Sequence, residues 1–146
     1  MPTHPRQTIR EALVGLLAAA GTSAGSNVID TRVYAATSAP AIYVAVQQDD
    51  FTQYVSLAPR GIDRQARLLI ECVVADATEP EDALDTLCRE VELAIAGDFL
   101  LADGGTPLLL LNQYEGTTLE VPDQDGAKKT LRATITYLAT YRDSAL

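Results

Sequence analysis

The sequence predicts one α+β domain, a mixed and mainly antiparallel sheet of four to six strands with two helices packed on one face. Three observations predict it. Apolar residues recur at helical spacing in two segments, one near the start of the chain and one in its middle. Shorter segments between and after them run or alternate at strand spacing, bounded by Gly, Pro and Asp. The strands come in consecutive runs rather than alternating with helices, which favours antiparallel or mixed pairing over a parallel wound sheet. A chain of 146 residues has room for one core and no second one. At that size a domain buries roughly 68–70% of the surface of its unfolded chain and folds without a disulfide or metal staple.

The first helix spans Arg6 to Ala20, with Ile9, Leu13, Leu16, Leu17 and Ala20 on one stripe. Thr3 suits its cap, Pro5 its first turn and Gly21 the position past its end. After a Gly-Thr-Ser-Ala-Gly-Ser loop, Val28–Tyr34 and Ala41–Val46 read as strands, the second entered at Pro40. Gln47 to Arg64 is a long connection that nevertheless carries Phe51, Tyr54, Val55 and Leu57. Apolar residues in such an excursion indicate either an extended hairpin arm or a surface covered by another subunit. Gln65–Ala75 places Leu68, Ile70, Cys72 and Val74 on one face, and Leu69 and Val73 beside Arg67 and Glu71 on the other. A strand apolar on both sides is central or covered.

Thr78-Glu79-Pro80-Glu81 has the spacing of a capping box for the second helix, which runs to about Ala96 with Leu84, Leu87, Cys88, Val91 and Ile95 inward. Asp85 and Arg89 stand at i,i+4. Gly104-Gly105 marks a turn, Leu108 to Val121 supplies one or two strands, and Asp125-Gly126 turns the chain into a last strand over Thr130–Arg142.

Charge narrows the function classes. Eleven Lys plus Arg against 20 Asp plus Glu give −9. A grip on nucleic acid needs a basic surface that releases phosphate counterions, so DNA or RNA binding is not this chain's main business. Nine of the acids and only Arg89 among the bases lie between Asp76 and Asp103, so the charge forms one acidic face. The polar start of the chain lacks a signal-peptide pattern, and no apolar run approaches the ~20 residues of a membrane span. Two cysteines, Cys72 and Cys88, make no disulfide framework; both fall on inward stripes and read as buried apolar thiols in a reducing compartment.

Catalysis needs a nucleophile with a base, or a metal, and the chain is poor in both. Its one histidine, His4, sits in the amino-terminal tail and reads as a solvated residue. There is no nucleophile elbow, phosphate-cradling loop or zinc spacing. Asp123-x-Asp125-Gly126 resembles a fragment of a calcium loop, but Arg132 stands where the bidentate Glu belongs, so a hairpin turn is the reading. Glu81, Asp82 and Asp85 have no spacing that fixes a cation, so the helix face reads as solvated. No cofactor and no enzymatic activity are expected.

Three stretches carry a family likeness: Asp30-Thr31-Arg32-Val33-Tyr34 with Ala39-Pro40-Ala41-Ile42-Tyr43-Val44; Leu68 to Val74 with the acidic helix after it; and Ala133 to Tyr141. In their order and spacing the chain resembles the tail terminator (minor tail protein U) family of lambda-like, long-tailed bacteriophages. The likeness covers nearly the whole chain and departs over Gln47–Arg64 and Leu108–Val121, the regions where partner-specific contacts are expected. It implies a virion structural protein: a homohexameric ring at the head-proximal end of the tail, assembled in the host bacterial cytoplasm. Such a ring sits on the tail tube protein, ends tube polymerisation and presents a surface to the head-side neck connector protein. DNA passes through without specific binding, and no membrane is involved. A ring of this kind needs a heterologous interface that closes on itself.

Phe51, Tyr54, Leu57, Arg60 and Arg64 are the candidate subunit or partner contacts; the alternative is that they fold back on their own sheet. Glu81, Asp82, Asp85 and Glu92 are candidates for an acidic bore or rim that repels phosphate. Rival readings are another neck or tail-tube ring protein, and an acidic monomeric inhibitor that engages a basic partner.

Overall fold

The computed structural model describes residues 3–30, 40–57, 60–75, 79–120 and 130–143; for residues 48, 49, 51–57 and 60 it describes the backbone alone. The chain runs through α1 (Pro5–Ala19), β1 (Val28–Ile29), β2 (Ala41–Leu57), β3 (Arg60–Ala75), α2 (Pro80–Gly97), β4 (Ala102–Asp103), β5 (Thr106–Pro107), β6 (Leu111–Glu120) and β7 (Thr130–Asp143). Five strands form one mixed sheet in the order β1-β2-β3-β7-β6, with only the β1–β2 pair parallel; β4 and β5 make a separate small hairpin. The expected α+β architecture is what forms.

β3 is the central strand, as its two-sided apolar pattern requires. It pairs with β2 from Ala41↔Val73 to Leu57↔Arg60, and with β7 from Ile62↔Asp143 to Ala75↔Thr130. Directly opposed residues share a face. One face therefore brings together Leu68 with Tyr137, Ile70 with Ile135, Cys72 with Ala133 and Val74 with Leu131. All eight are buried. Both helices cover this face: α1 lies over β1 and β2, α2 over β3 and β7, and the helices touch each other. Ile9, Leu13 and Leu17 of α1 and Leu84, Leu87, Cys88, Val91 and Ile95 of α2 close the core.

The helix ends follow local chemistry, with corrections to the expected caps. His4, not Thr3, caps α1: its Nδ1 accepts the Arg6 N–H at 3.1 Å, so the histidine is a half-buried capping residue rather than a solvated one. Gly21 follows the helix end at φ +69, a left-handed conformation that glycine adopts without Cβ strain. At α2 the first helical residue is Pro80 and Glu79 takes the cap position without a side-chain cap bond, which leaves Glu81 one place short of the box position. Thr78 lies outside the described residues.

Other boundaries differ from expectation too. β1 is described only over Val28–Ile29, and Thr31–Tyr34 and the Asp125-Gly126 turn lie outside the described residues. β2 continues through Leu57, so the long connection is a hairpin arm, with register shifts between Gln47 and Asp50, Phe51 and Gln53, and Tyr54 and Ser56. Gly104 and Gly105, at φ +59 and +88, form the two-residue turn of the β4–β5 hairpin. Leu87 is fully buried between α2 and the sheet, whereas Leu93 on the same helix is 57% exposed. Leu87→Ala is expected to cost about 2–5 kcal/mol, read as a lower denaturant midpoint at unchanged slope, and Leu93→Ala to stay within about 0.5 kcal/mol of the parent.

Candidate assembly surface

The hairpin arm places three of the candidate contacts by backbone register: Phe51 opposite Arg64, Tyr54 opposite Ile62, and Leu57 opposite Arg60. The side chains of Phe51, Tyr54, Leu57 and Arg60 lie outside the described ones. Arg64 is described. Its guanidinium meets Asp143 at 3.3 Å at the base of the arm. On the opposite face Asp63 takes Arg142 with two contacts, 3.0 Å to Nε and 3.5 Å to Nη2. Asp63 and Asp143 are 5% and 6% exposed, so these two ion pairs fasten β3 to β7 in a largely covered setting.

Among the described residues no helix packs on the second face of the sheet. That face presents Thr134, Thr136 and Leu138 of β7 beside Leu69 of β3, all half-buried, together with Arg132–Glu71 at 3.3 Å and Arg67–Glu115 at 3.0 Å. Glu115 reaches Arg67 because β6 bulges between Tyr114 and Gly116, where two residues of β6 oppose one step of β7. The same bulge keeps both Tyr114 and Thr117 on the helix side, where Tyr114 Oη and Thr117 Oγ1 lie 2.7 Å apart.

Sequence reasoning missed the largest group of exposed apolar side chains among the described residues. Leu111, Tyr114 and Leu119 on β6 are 44%, 54% and 61% exposed, and Phe99 and Leu110 just before the strand are 48% and 49% exposed. α2 covers β3 and β7 and stops short of β6, so Tyr114 packs edge-on against Tyr137 at 5.6 Å and stays otherwise open. The available signal was composition. Leu108–Glu120 has no basic residue and carries Leu or Tyr on either side of the pleat, which suits a covered strand better than a solvated edge.

The four acidic candidates are all on α2. Glu81, Asp82 and Asp85 are exposed on its first turns. Glu92 is half-buried and takes Arg89 at 3.3 Å; this i,i+3 pair stands in place of the expected Asp85–Arg89 pair. Glu90 turns the other way and accepts from both the backbone N–H and the hydroxyl of Ser23, tying α2 to the loop after α1. Among the described residues no three His, Cys, Asp or Glu are grouped to hold a metal ion, and no helix is long and apolar enough to cross a membrane.

Between the start of α2, Ser23 and Val74 lies a cleft of about 300 Å³. Its polar groups include the Glu79 and Asp82 carboxylates and the Thr86 and Ser23 hydroxyls, the last already bound to Glu90. Cys72 and Cys88 are both buried, as expected, and hydrogen-bond to each other; that bond and burial push the Cys72 thiol far above its usual range.

No family model and no curated protein matches the sequence. Among solved structures the chain is similar to a chain of the virion of a native gene transfer agent (GTA) particle, with a TM-score of 0.64 at 14% identity. The match covers 97% of this chain and 100% of that one, so the two share a fold from end to end.

Tyr137 links the core to the β6 edge and gives a pH handle. Burial first, then the Glu92 and Tyr114 charges, push its phenol up to about 12. The folded state then holds this proton more tightly than the unfolded chain, whose tyrosines ionise near ~10. Stability is expected to be intact below about pH 10 and to fall as pH rises towards 12. Denaturation of Tyr137→Phe across that range should show a shallower decline than the parent.

Proposed function

We propose that this protein is a virion structural component that assembles as a homohexameric ring on the end of a tail tube, halts tube growth and offers its other side to a neck connector. The observation that carries the reading is the end-to-end fold likeness to a chain of a phage-like virion particle, joined to the lambda-like terminator pattern of the sequence. The surface supports it as well. The sheet leaves its flank apolar and open at β6, and the arm brings Phe51, Tyr54, Leu57 and Arg60 to one end of the β2–β3 hairpin. In this reading those arm residues anchor a neighbouring subunit or the tube, and Arg64 holds the arm's base in place through Asp143.

The exposed carboxylates Glu81, Asp82 and Asp85 face the DNA path as an acidic bore or rim, where like charge keeps phosphate from adhering, and Glu92 borders it. The chemistry of binding is shape and apolar contact, with no reaction step. The protein is then a component of the virion at the head-proximal end of the tail.

Particles produced without this protein test the reading. They are expected to carry tubes of unregulated length and to lack attached heads; tubes of uniform length joined to full heads would contradict it. Glu81→Gln with Asp82→Asn and Asp85→Asn is expected to leave assembly intact and slow DNA ejection, read as a lower ejected fraction at fixed time.

A further inference from the structure

The sheet has two open edges, and they differ. At one end, among the described residues, β6 pairs with β7 alone, so the outward N–H and C=O groups of alternate residues from Leu111 to Glu120 have no strand beside them. At the other end, among the described residues, β1 pairs only with Ile42 and Tyr43 of β2, and the remainder of β2 to Leu57 pairs with β3 alone. Monomeric sheet proteins blunt such edges with lysine, proline, short strands or a covering loop. β6 has neither lysine nor proline; its one such device is the bulge between Tyr114 and Gly116, and its two charged residues are Glu115 and Glu120, the first turned to Arg67. Its flanking Leu111, Tyr114 and Leu119 are the exposed apolar groups described above. β2 beyond Tyr43 likewise has no proline and no basic residue.

We propose that the β6 edge of one copy pairs with the β2 edge of the next, continuing the sheet from subunit to subunit and covering Leu111, Tyr114 and Leu119. The occupant is a second copy because the same chain carries the other edge at the far side of the sheet, at least as long as β6. Joining unlike edges is heterologous, so each copy makes two equivalent contacts and the chain of copies can close. Closure leaves no edge open, as in any barrel.

The area fixes how assembly proceeds. A ten-residue strand is about 33 Å long and a sheet about 10 Å thick, so one edge contact covers on the order of 300 Å² per partner. A stable two-protein interface needs about 800 Å² per partner. A single contact is therefore too small to hold a dimer, and only the closed ring, with both edges of every copy engaged, persists. The inference rests on the ring reading for closure and adds which surfaces meet.

The test uses the full chain with one new cysteine per variant, Gln47→Cys on β2 and Thr118→Cys on β6, both at exposed positions on the helix-free side. A short bis-maleimide is added to each variant alone and to their mixture; the parent chain, with Cys72 and Cys88 buried, is the control. Cross-linked pairs are expected in the mixture and in neither variant alone. Light scattering should show monomer and closed ring with no dimer between, and Leu119→Lys, with an unchanged circular dichroism spectrum, should abolish the ring. Cross-linking of Thr118→Cys to itself would overturn the proposal in favour of a twofold contact. Rings without any cross-link would overturn the edge pairing and leave the ring reading standing. A monomer at every concentration would overturn both.

Discussion

One constraint organises this molecule: two helices can cover only one face of a five-strand sheet, and here they lie over β1, β2, β3 and β7 and leave β6 at the margin. The alternating residues of β3 and β7 turn Leu68, Ile70, Cys72, Val74 and their partners Tyr137, Ile135, Ala133 and Leu131 to the same side. α1 and α2 bury that side completely. Everything else is what the helices leave over. The second face is held by threonines, half-buried aliphatics and ion pairs, the β6 edge is left apolar and open, and the β2–β3 hairpin runs on beyond the β1 pairing.

The ion pairs are read in this light. Arg64–Asp143 and Asp63–Arg142 join β3 to β7 beside the buried Tyr141, and their carboxylates are nearly fully covered. Surface pairs contribute little. These differ in being partly desolvated and, for Asp63, doubly bonded, which fixes the strand ends in register. The acidic helix is different again: Glu81, Asp82 and Asp85 are exposed on its first turns.

Much of the fold was legible in the sequence because periodicity reports burial. The two helices, the central place of Gln65–Ala75 and the last strand all follow from residues whose side chains meet the core, and so does the burial of Cys72 and Cys88. The misses occur where the decisive partner is not local. His4 caps α1 because its imidazole meets the Arg6 N–H, a role as open to Thr3 on composition. Arg89 selects Glu92 over Asp85, two carboxylates at equivalent helical distance. The reach of β2 to Leu57 depends on pairing with β3 through three register shifts, which no alternation pattern displays. For the candidate surface, the arm was visible as apolar residues in a long excursion. The exposed β6 edge was not, because Leu111, Tyr114 and Leu119 carry the same signature whether a helix or a neighbouring molecule covers them.

The central claim is that the open sheet edges are filled by other copies of the chain. Hydrogen exchange of the backbone amides in β6 and in Val44–Gln47 of β2, followed at low and at high protein concentration, tests it most directly. The account predicts that the amides pointing away from β7 and β3 exchange freely in dilute solution and become protected together when the assembly forms, while core amides of β3 remain slow in both. Equal exchange at those edge positions in the dilute and assembled states would contradict it.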